Sequence, residues 1–511
     1  MTGNKKLTLM NILSALLLQL CTIASGFVIP KIILSYFGSE VNGLISSVNQ
    51  FLNYVQLLEG GLSGVVMAAL YKALAEKNYE KVSAIIKAVK SFFKKIALIY
   101  IVYALVMAFV YPLIVHNDFD YWYVVTLIVI ISVNLFIQYL FSLTYRLLLT
   151  SDRRGYIVSF TQTAFIILNL VFVIVSVKLY PNIHIMKLIS AVAFLIQPIV
   201  FGIYVNTHYK IDKKAAEDKT ALKERWAGFG QNLAYFVHSN TDVALLTLCV
   251  GLSVVSVYSV HLMIISAVQS IIIAVSGAVK PIFGNILVIK DNEYVNRVFD
   301  YYEIGINVLT TVLFTCCAVL IVPFIKLYTA DISDADYIQP VFAVLLCVAE
   351  AIYCYRDPYV AAAYAVGHFR QTAKYAYIEA GLNIAISLTL VFFIGLIGVA
   401  IGTLVSMLFR MIMHVIYVKK NILNRSVWKW AKNFFSSFGA GAIGVVITKF
   451  CVGYVVDTYA DWVVYAVITF GIAVAVTGLI TYSVNFKSIN SFVKSYIARR
   501  KAKKETSNEK E

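Results

Sequence analysis

The chain has 511 residues, of which 60% are hydrophobic and 14% charged, with 43 Lys and Arg against 27 Asp and Glu and a formal net charge of +16. A soluble globule of that size has no interior large enough for so much apolar side chain. With 26 Gly and 8 Pro, collagen-like and low-complexity classes are excluded as well. What is left is an all-α polytopic membrane protein.

Lys5 and Lys6 precede an apolar run from Leu7 to about Phe37, too long for the core of a cleaved signal and without a small-residue cleavage site. It reads as the first span. A bilayer core of about 30 Å needs about 20 mostly apolar residues per helix. In chain order that ruler picks out 9–36, 40–71, 92–115, 122–149, 155–179, 185–208 and 226–249. It then picks out 253–289, 301–327, 338–367, 372–394, 398–421, 433–455 and 462–485, about fourteen spans in all. The separations at 249/253 and 394/398 rest on the turn strings VGLSV and IGLIG alone.

Charge orders these spans. With the N-terminus inside, the segments 1–8, 76–95, 146–154, 206–225, 290–300, 368–374, 419–432 and 486–511 hold 34 basic and 13 acidic residues. The alternate turns hold 2 basic and 8 acidic residues, and none is longer than about ten residues. By the positive-inside rule both termini are cytoplasmic. The segments 76–95 and NRSVWKWAKN mix basic and apolar residues, which suits either interfacial helices on an anionic leaflet or ordinary inside loops. The C-terminal stretch ARRKAKKETSNEKE reads as a disordered basic tail.

The second half echoes the first at an offset of about 213–215 residues. Gly38 corresponds to Gly251, Ser63-Gly64 to Ser276-Gly277, Tyr145 to Tyr359, Leu168-Asn169 to Leu382-Asn383 and Tyr204-Val205 to Tyr417-Val418. An even number of spans per repeat gives parallel lobes. The expected organisation is two pseudo-symmetric six-helix lobes around a central cavity, plus two C-terminal helices. The lobes are 1–208 and 226–421, joined by a linker at 209–225. An amphipathic linker with the last two spans occupies 422–485, and a basic tail occupies 486–511.

Ionisable side chains at membrane depth cost at least a few kcal/mol each, so they are the candidate site residues. Lys31, Lys280, Arg356 and Arg410 are candidates for binding an anionic substrate, against the plain alternatives of snorkelling or local pairing. Lys280 precedes Pro281, a candidate kink, and Arg356 with Asp357 before Pro358 reads most simply as a local pair. Glu59 in LLEGGLSG, Asp242 in HSNTD, Glu350 and Glu379 are candidates for coupling to H+ or Na+, against a structural hinge or helix packing at Glu59 and a hydrogen-bond network between helices at Asp242. Arg410 and His414 share a face at i,i+4. The seven cysteines lie in apolar stretches without metal spacing, and no metal or other cofactor is expected.

The string IPKIILSYFGSEVNGLISSVNQFLNYVQLLEGGLSGVVMAALYKALAEKN, from Pro30 to Asn78, resembles the N-terminal part of the polysaccharide transporter family. These are the Wzx-type flippases of the multidrug/oligosaccharidyl-lipid/polysaccharide exporter superfamily. YFG, NGL, LLEGGL and ALYK are the matching elements, echoed later by NTDVALLTLCVGLSVVSVYS, GNILVIKDNEYVNRVF, AAYAVGHFRQTAKYAYIEAGLNI and GLIGVAIGT. The resemblance spans about residues 5–425. It implies translocation of an undecaprenyl-pyrophosphate-linked oligosaccharide across a bacterial plasma membrane, alongside membrane lipids and polysaccharide polymerase or assembly proteins as partners.

A cation-coupled multidrug exporter of the same superfamily is the nearest alternative. An integral-membrane enzyme of polysaccharide assembly would have to use His116-Asn117-Asp118-Phe119-Asp120, which reads better as a solvated turn. The chain has no Gly-rich phosphate loop, and its basic residues are spread over short loops, so neither ATP-driven pumping nor nucleic-acid binding is expected.

Overall fold

The computed structural model describes residues 2–115, 119–212, 214–218, 220, 222, 229–289, 291–453 and 455–508. Every regular element among them is helical. Nine helices among the described residues are long and apolar enough to cross a membrane.

α1 (Thr2–Asn53) takes in the first predicted span and half of the second. It is interrupted at Gly38, whose φ of 83° and ψ of 175° only glycine adopts without strain. The rest of the second span is broken: a 3-10 turn at Tyr54–Glu59, Gly60 with φ 55°, then α2 (Leu62–Ala75).

α3 (Tyr79–Ile114) starts at Asn78, whose side chain accepts from the Lys81 amide at 2.9 Å. The segment 76–95 is therefore neither a loop nor a separate interfacial helix. Its residues from Tyr79 on are the first turns of the third span, with Val82, Ile85, Ile86, Val89 and Phe93 buried. Apolar spacing of three and four residues continues through the charged stretch, and that spacing carries the helix on.

α4 (Tyr121–Ile137) begins at Asp120, which accepts from the amides of Trp122 and Tyr123 at 3.0 and 3.3 Å. Asp120 thus caps a helix, while His116, Asn117 and Asp118 lie outside the described residues. A single π-helical turn, Gln138–Ser142, joins α4 to α5 (Leu143–Ser151). α6 (Gly155–Leu179), α7 (Ile183–Phe194), α8 (Ile196–His208) and α9 (Phe229–Cys249) follow.

α10 (Leu252–Ile289) starts after Gly251, at φ 133°, and runs unbroken through Pro281. α11 (Asn292–Tyr328) and α12 (Pro340–Ala365) enclose the turn 329–339. α13 (Phe369–Asn421) joins two predicted spans across Ile394 and Gly395, the latter at φ 53°. α14 (Val427–Val446) is capped by Ser426 and ends in a π-helical turn at Ile447–Val452, so residues of the basic linker form its first turns.

α15 (Tyr459–Asn508) has a non-helical Asn485, where the last predicted span ends. The backbone beyond it is helical to Asn508, in place of the expected disordered tail. Lys, Arg, Ala and Glu dominate that stretch and all are good helix formers.

Contacts divide the chain into two compact units, Met1–Val260 with Asp331–Ala335, and His261–Ala330 with Asp336–Glu511. In the first, the core runs from Val41, Leu44 and Val48 to Leu62, Val66 and Leu70, then to Ile85, Phe93 and Tyr100. In the second, Phe299, Phe342, Leu346 and Met407 are among the fully buried side chains. The first turns of α10 belong to the first unit and the remainder to the second.

Candidate functional site

The ionisable residues left inside or at the margins of the spans are, with few exceptions, held by specific partners. In the first unit, the Lys31 ammonium donates to Asp331, which also accepts from Ser35 Oγ at 2.8 Å. Lys31 is thus anchored to the turn 329–339. The Lys31 ammonium beside it, assisted by the Ser35 hydroxyl, holds the Asp331 carboxyl below its ordinary value. Asp334 in the same turn accepts from the amide of Ser39 at 2.7 Å, next to the turn glycine Gly38.

Glu59 ends the 3-10 turn that breaks the second span, and accepts from Tyr139 Oη at 2.7 Å. Tyr139 lies in the π-helical turn, so two helix irregularities meet at one half-buried carboxylate. Both kinds of irregularity free backbone groups and recur at functional sites. Asp242, 3% exposed, accepts from Tyr258 Oη at 3.0 Å across the turn between α9 and α10.

The second unit holds the densest constellation. Arg356 of α12 donates from Nη1 to Glu379 Oε1 at 2.8 Å, while Arg410 donates from its own Nη1 to Glu379 Oε2. Glu379 and Arg410 come from the two halves of α13, and none of the three side chains is more than 6% exposed. The Arg356 guanidinium lies 4.7 Å from the Tyr353 ring centroid, and His414 Nδ1 is 3.0 Å from the Arg410 carbonyl oxygen. Two guanidinium groups on the two oxygens of one carboxylate form a bridge whose charge exceeds neutrality by one.

The local pair expected of Arg356 and Asp357 does not form. Successive residues on a helix point in different directions, and Asp357 instead receives Lys280 at 2.8 Å together with Ser276 Oγ. Lys280 is 36% exposed, which makes it the most accessible of the four candidate cations. Glu350 accepts from Gln269 Nε2 at 2.6 Å.

One cluster escaped the sequence reading. Arg425 pairs with Glu303 and Asp300, Lys429 with Asp300, and Asn433 donates to Glu303 at 2.9 Å. Tyr359 also donates to Glu303, and Arg425 lies 5.0 Å from the Phe299 ring centroid. By charge alone Asp300, Arg425 and Lys429 fall in inside segments and Glu303 at a span margin. Glu303, an acid within a span with no basic neighbour in sequence, was the available signal.

No family model matches the chain, and no curated protein sequence matches it. Solved structures do. The lipid II flippase MurJ in an inward closed conformation matches with a TM-score of 0.70 over 94% of this chain and 100% of that one, at 14% identity. The fold is that of MurJ. An inward-facing multidrug resistance MATE family transporter of the MOP superfamily matches with a TM-score of 0.59, at 13% identity over 79% of this chain and 95% of that one. The MATE multidrug transporter DinF-BH matches with a TM-score of 0.61, at 16% identity over 82% and 95%. At these identities the likeness is one of fold, and MurJ shares more of it than these two MATE structures do.

Proposed function

We propose that the protein is a flippase that moves an undecaprenyl-pyrophosphate-linked oligosaccharide across the bacterial plasma membrane by alternating access, coupled to an H+ or Na+ gradient. The observation that carries the reading is the extent of the shared fold: the match to the lipid II flippase takes in 94% of this chain and the whole of that one. The buried charges suit the task. A pyrophosphate needs cationic hydrogen-bond donors, for which Lys31, Lys280, Arg356 and Arg410 are the candidates. Each is held by a carboxylate in this state, so substrate would compete with Asp331, Asp357 or Glu379 for it. Glu59, Asp242, Glu350 and Glu379 are the candidates for carrying the coupling ion.

Depletion of the protein tests this directly. The lipid-linked oligosaccharide should accumulate in the inner leaflet while surface polysaccharide falls. Asp242→Asn and Arg356→Ala, at normal membrane levels, should each impair export. Undiminished surface polysaccharide in the depleted cells, with new sensitivity to cationic dyes, would instead establish the multidrug-exporter alternative that the MATE structures represent.

A further inference from the structure

A crevice of about 570 Å³ opens in the second unit between α10, α11 and the part of α15 beyond Asn485. That is a volume typical of small-ligand sites. Val275 and Val279 of α10 and Ile306 of α11 form its apolar wall, and Tyr294, Arg297 and Tyr301 of α11 place three polar groups along it. Ser491 closes it from α15. Arg297 is half exposed, and its partner is Glu293, 3.1 Å away and 85% exposed. An exposed i,i+4 pair of this kind is weak, so a phosphodiester can displace it.

The third wall gives the sign of the ligand. Lys487, exposed, stands on the same face of α15 as Ser491, one helical turn before it. The alternation of inside and outside segments puts Lys487 and the start of α11, in a segment 290–300 that is itself net −1, on the predicted cytoplasmic side.

We propose that the crevice binds an anionic glycerophospholipid of the inner leaflet. One acyl chain lies along Val275, Val279 and Ile306, and the phosphodiester takes the Arg297 guanidinium with the hydroxyls of Tyr294 and Tyr301. Lys487 supplies the remaining attraction. A zwitterionic headgroup presents the same phosphate but sets its own cation against Arg297 and Lys487, so the site selects net negative charge. This inference stands apart from the transport reading, since none of the eight candidate transport residues lines the crevice.

The test is lipid retention by the purified full-length chain, measured by native mass spectrometry during titration with phosphatidylglycerol or phosphatidylcholine. Wild type should retain one phosphatidylglycerol more tightly than any phosphatidylcholine, and Arg297→Gln should weaken that retention about fivefold. Gly305 lines the crevice, and a Cβ added there meets nothing within 4 Å. Gly305→Leu should therefore fill the space and abolish the bound lipid without disturbing the melting temperature in phosphatidylcholine. Equal retention of the two lipids by wild type overturns the proposal. So does unchanged phosphatidylglycerol retention in either variant, or its displacement by undecaprenyl phosphate, which would assign the crevice to the substrate path.

Discussion

Glu379 is the residue on which the most charge depends. Two arginines, 23 residues before it and 31 after, end on its two oxygens with every side chain buried. Removing the carboxylate leaves two buried guanidinium groups facing each other, and breaking a buried pair in this way costs roughly 3–5 kcal/mol. Glu379→Gln should therefore lower unfolding stability by that order in detergent. Lys326→Met, which removes an exposed cation paired with the exposed Asp457, should cost no more than about 1 kcal/mol. Equal losses from the two variants would show that Glu379 is no clamp. Asp331 gives a pH-dependent counterpart. Its carboxyl is held below its ordinary value by Lys31, so the pair contributes fully above the unfolded carboxylate value of about 3.9, and the contribution is lost as pH falls through the lower folded value. With Asp331 about half exposed, the effect is below ~1 kcal/mol and weakened by salt. Thermal melts between pH 7 and pH 3 should show a steeper acid loss for wild type than for Asp331→Asn. Sequence identified Lys31, Arg356, Glu379 and Arg410 as unusual because each sits in an apolar run. It left the partners of Lys31, Glu379 and Arg410 open and gave Arg356 its neighbour Asp357, because the true partners lie 23 to 300 residues away, a distance only packing resolves.

Among elements, α13 shows how closely two spans are packed. Past the break at Gly395, its second half returns against the first through Gly398 and Gly402, a G-x-x-x-G spacing that lets backbones approach. A Cβ on Gly402 would lie 2.1 Å from Ser387 Oγ and 2.9 Å from the Ser387 amide nitrogen. The hydroxyl can rotate away but the backbone cannot, so Gly402→Ala should cost about 1–3 kcal/mol. Gly381 in the same helix has nothing within 4 Å of an added Cβ. Gly381→Ala should therefore be neutral or stabilising by up to about 1 kcal/mol through helix propensity. If both variants melt like wild type, the two halves of α13 are not packed through Gly402. The turn itself was legible: IGLIG marked 394/398, and the glycine there takes a positive φ as the break requires. Gly38 and Gly251, matched in the repeat, likewise both have positive φ. A hinge at Glu59 was among the readings of LLEGGLSG, and the break at Tyr54–Glu59 falls there, whereas the π-helical turn at Gln138–Ser142 was not legible, because it lies in a run as apolar as an intact span. Charged runs misled in the opposite direction. The stretches at 79–95 and 486–508 read as loop, interfacial helix or tail by charge, yet continue as helix from the spans beside them, since Lys, Arg and Glu favour helix whenever an apolar face or a cap supports it.

At the scale of the molecule, the basic excess is a statement about orientation. The predicted inside segments hold 34 basic and 13 acidic residues and the predicted outside turns 2 and 8, while most of the thirteen ionisable residues in between are held by specific hydrogen bonds or ion pairs. Orientation matters to the proposed activity, because a flippase inserted the other way would work against its own substrate supply. It can be measured without removing the native thiols. The cysteines lie in apolar stretches, and Cys317, Cys347 and Cys354 are buried, so background reaction with a membrane-impermeant maleimide should be low. Ser333, exposed in the turn between α11 and α12, and Lys214, exposed between α8 and α9, fall on opposite predicted sides. Ser333→Cys should label in intact cells, whereas Lys214→Cys should label only after permeabilisation. A reversed pattern would invert the direction of transport. Labelling of both in intact cells would mean that an even number of crossings lies between them, and the pairing of spans into repeats would have to be redrawn between α8 and α11.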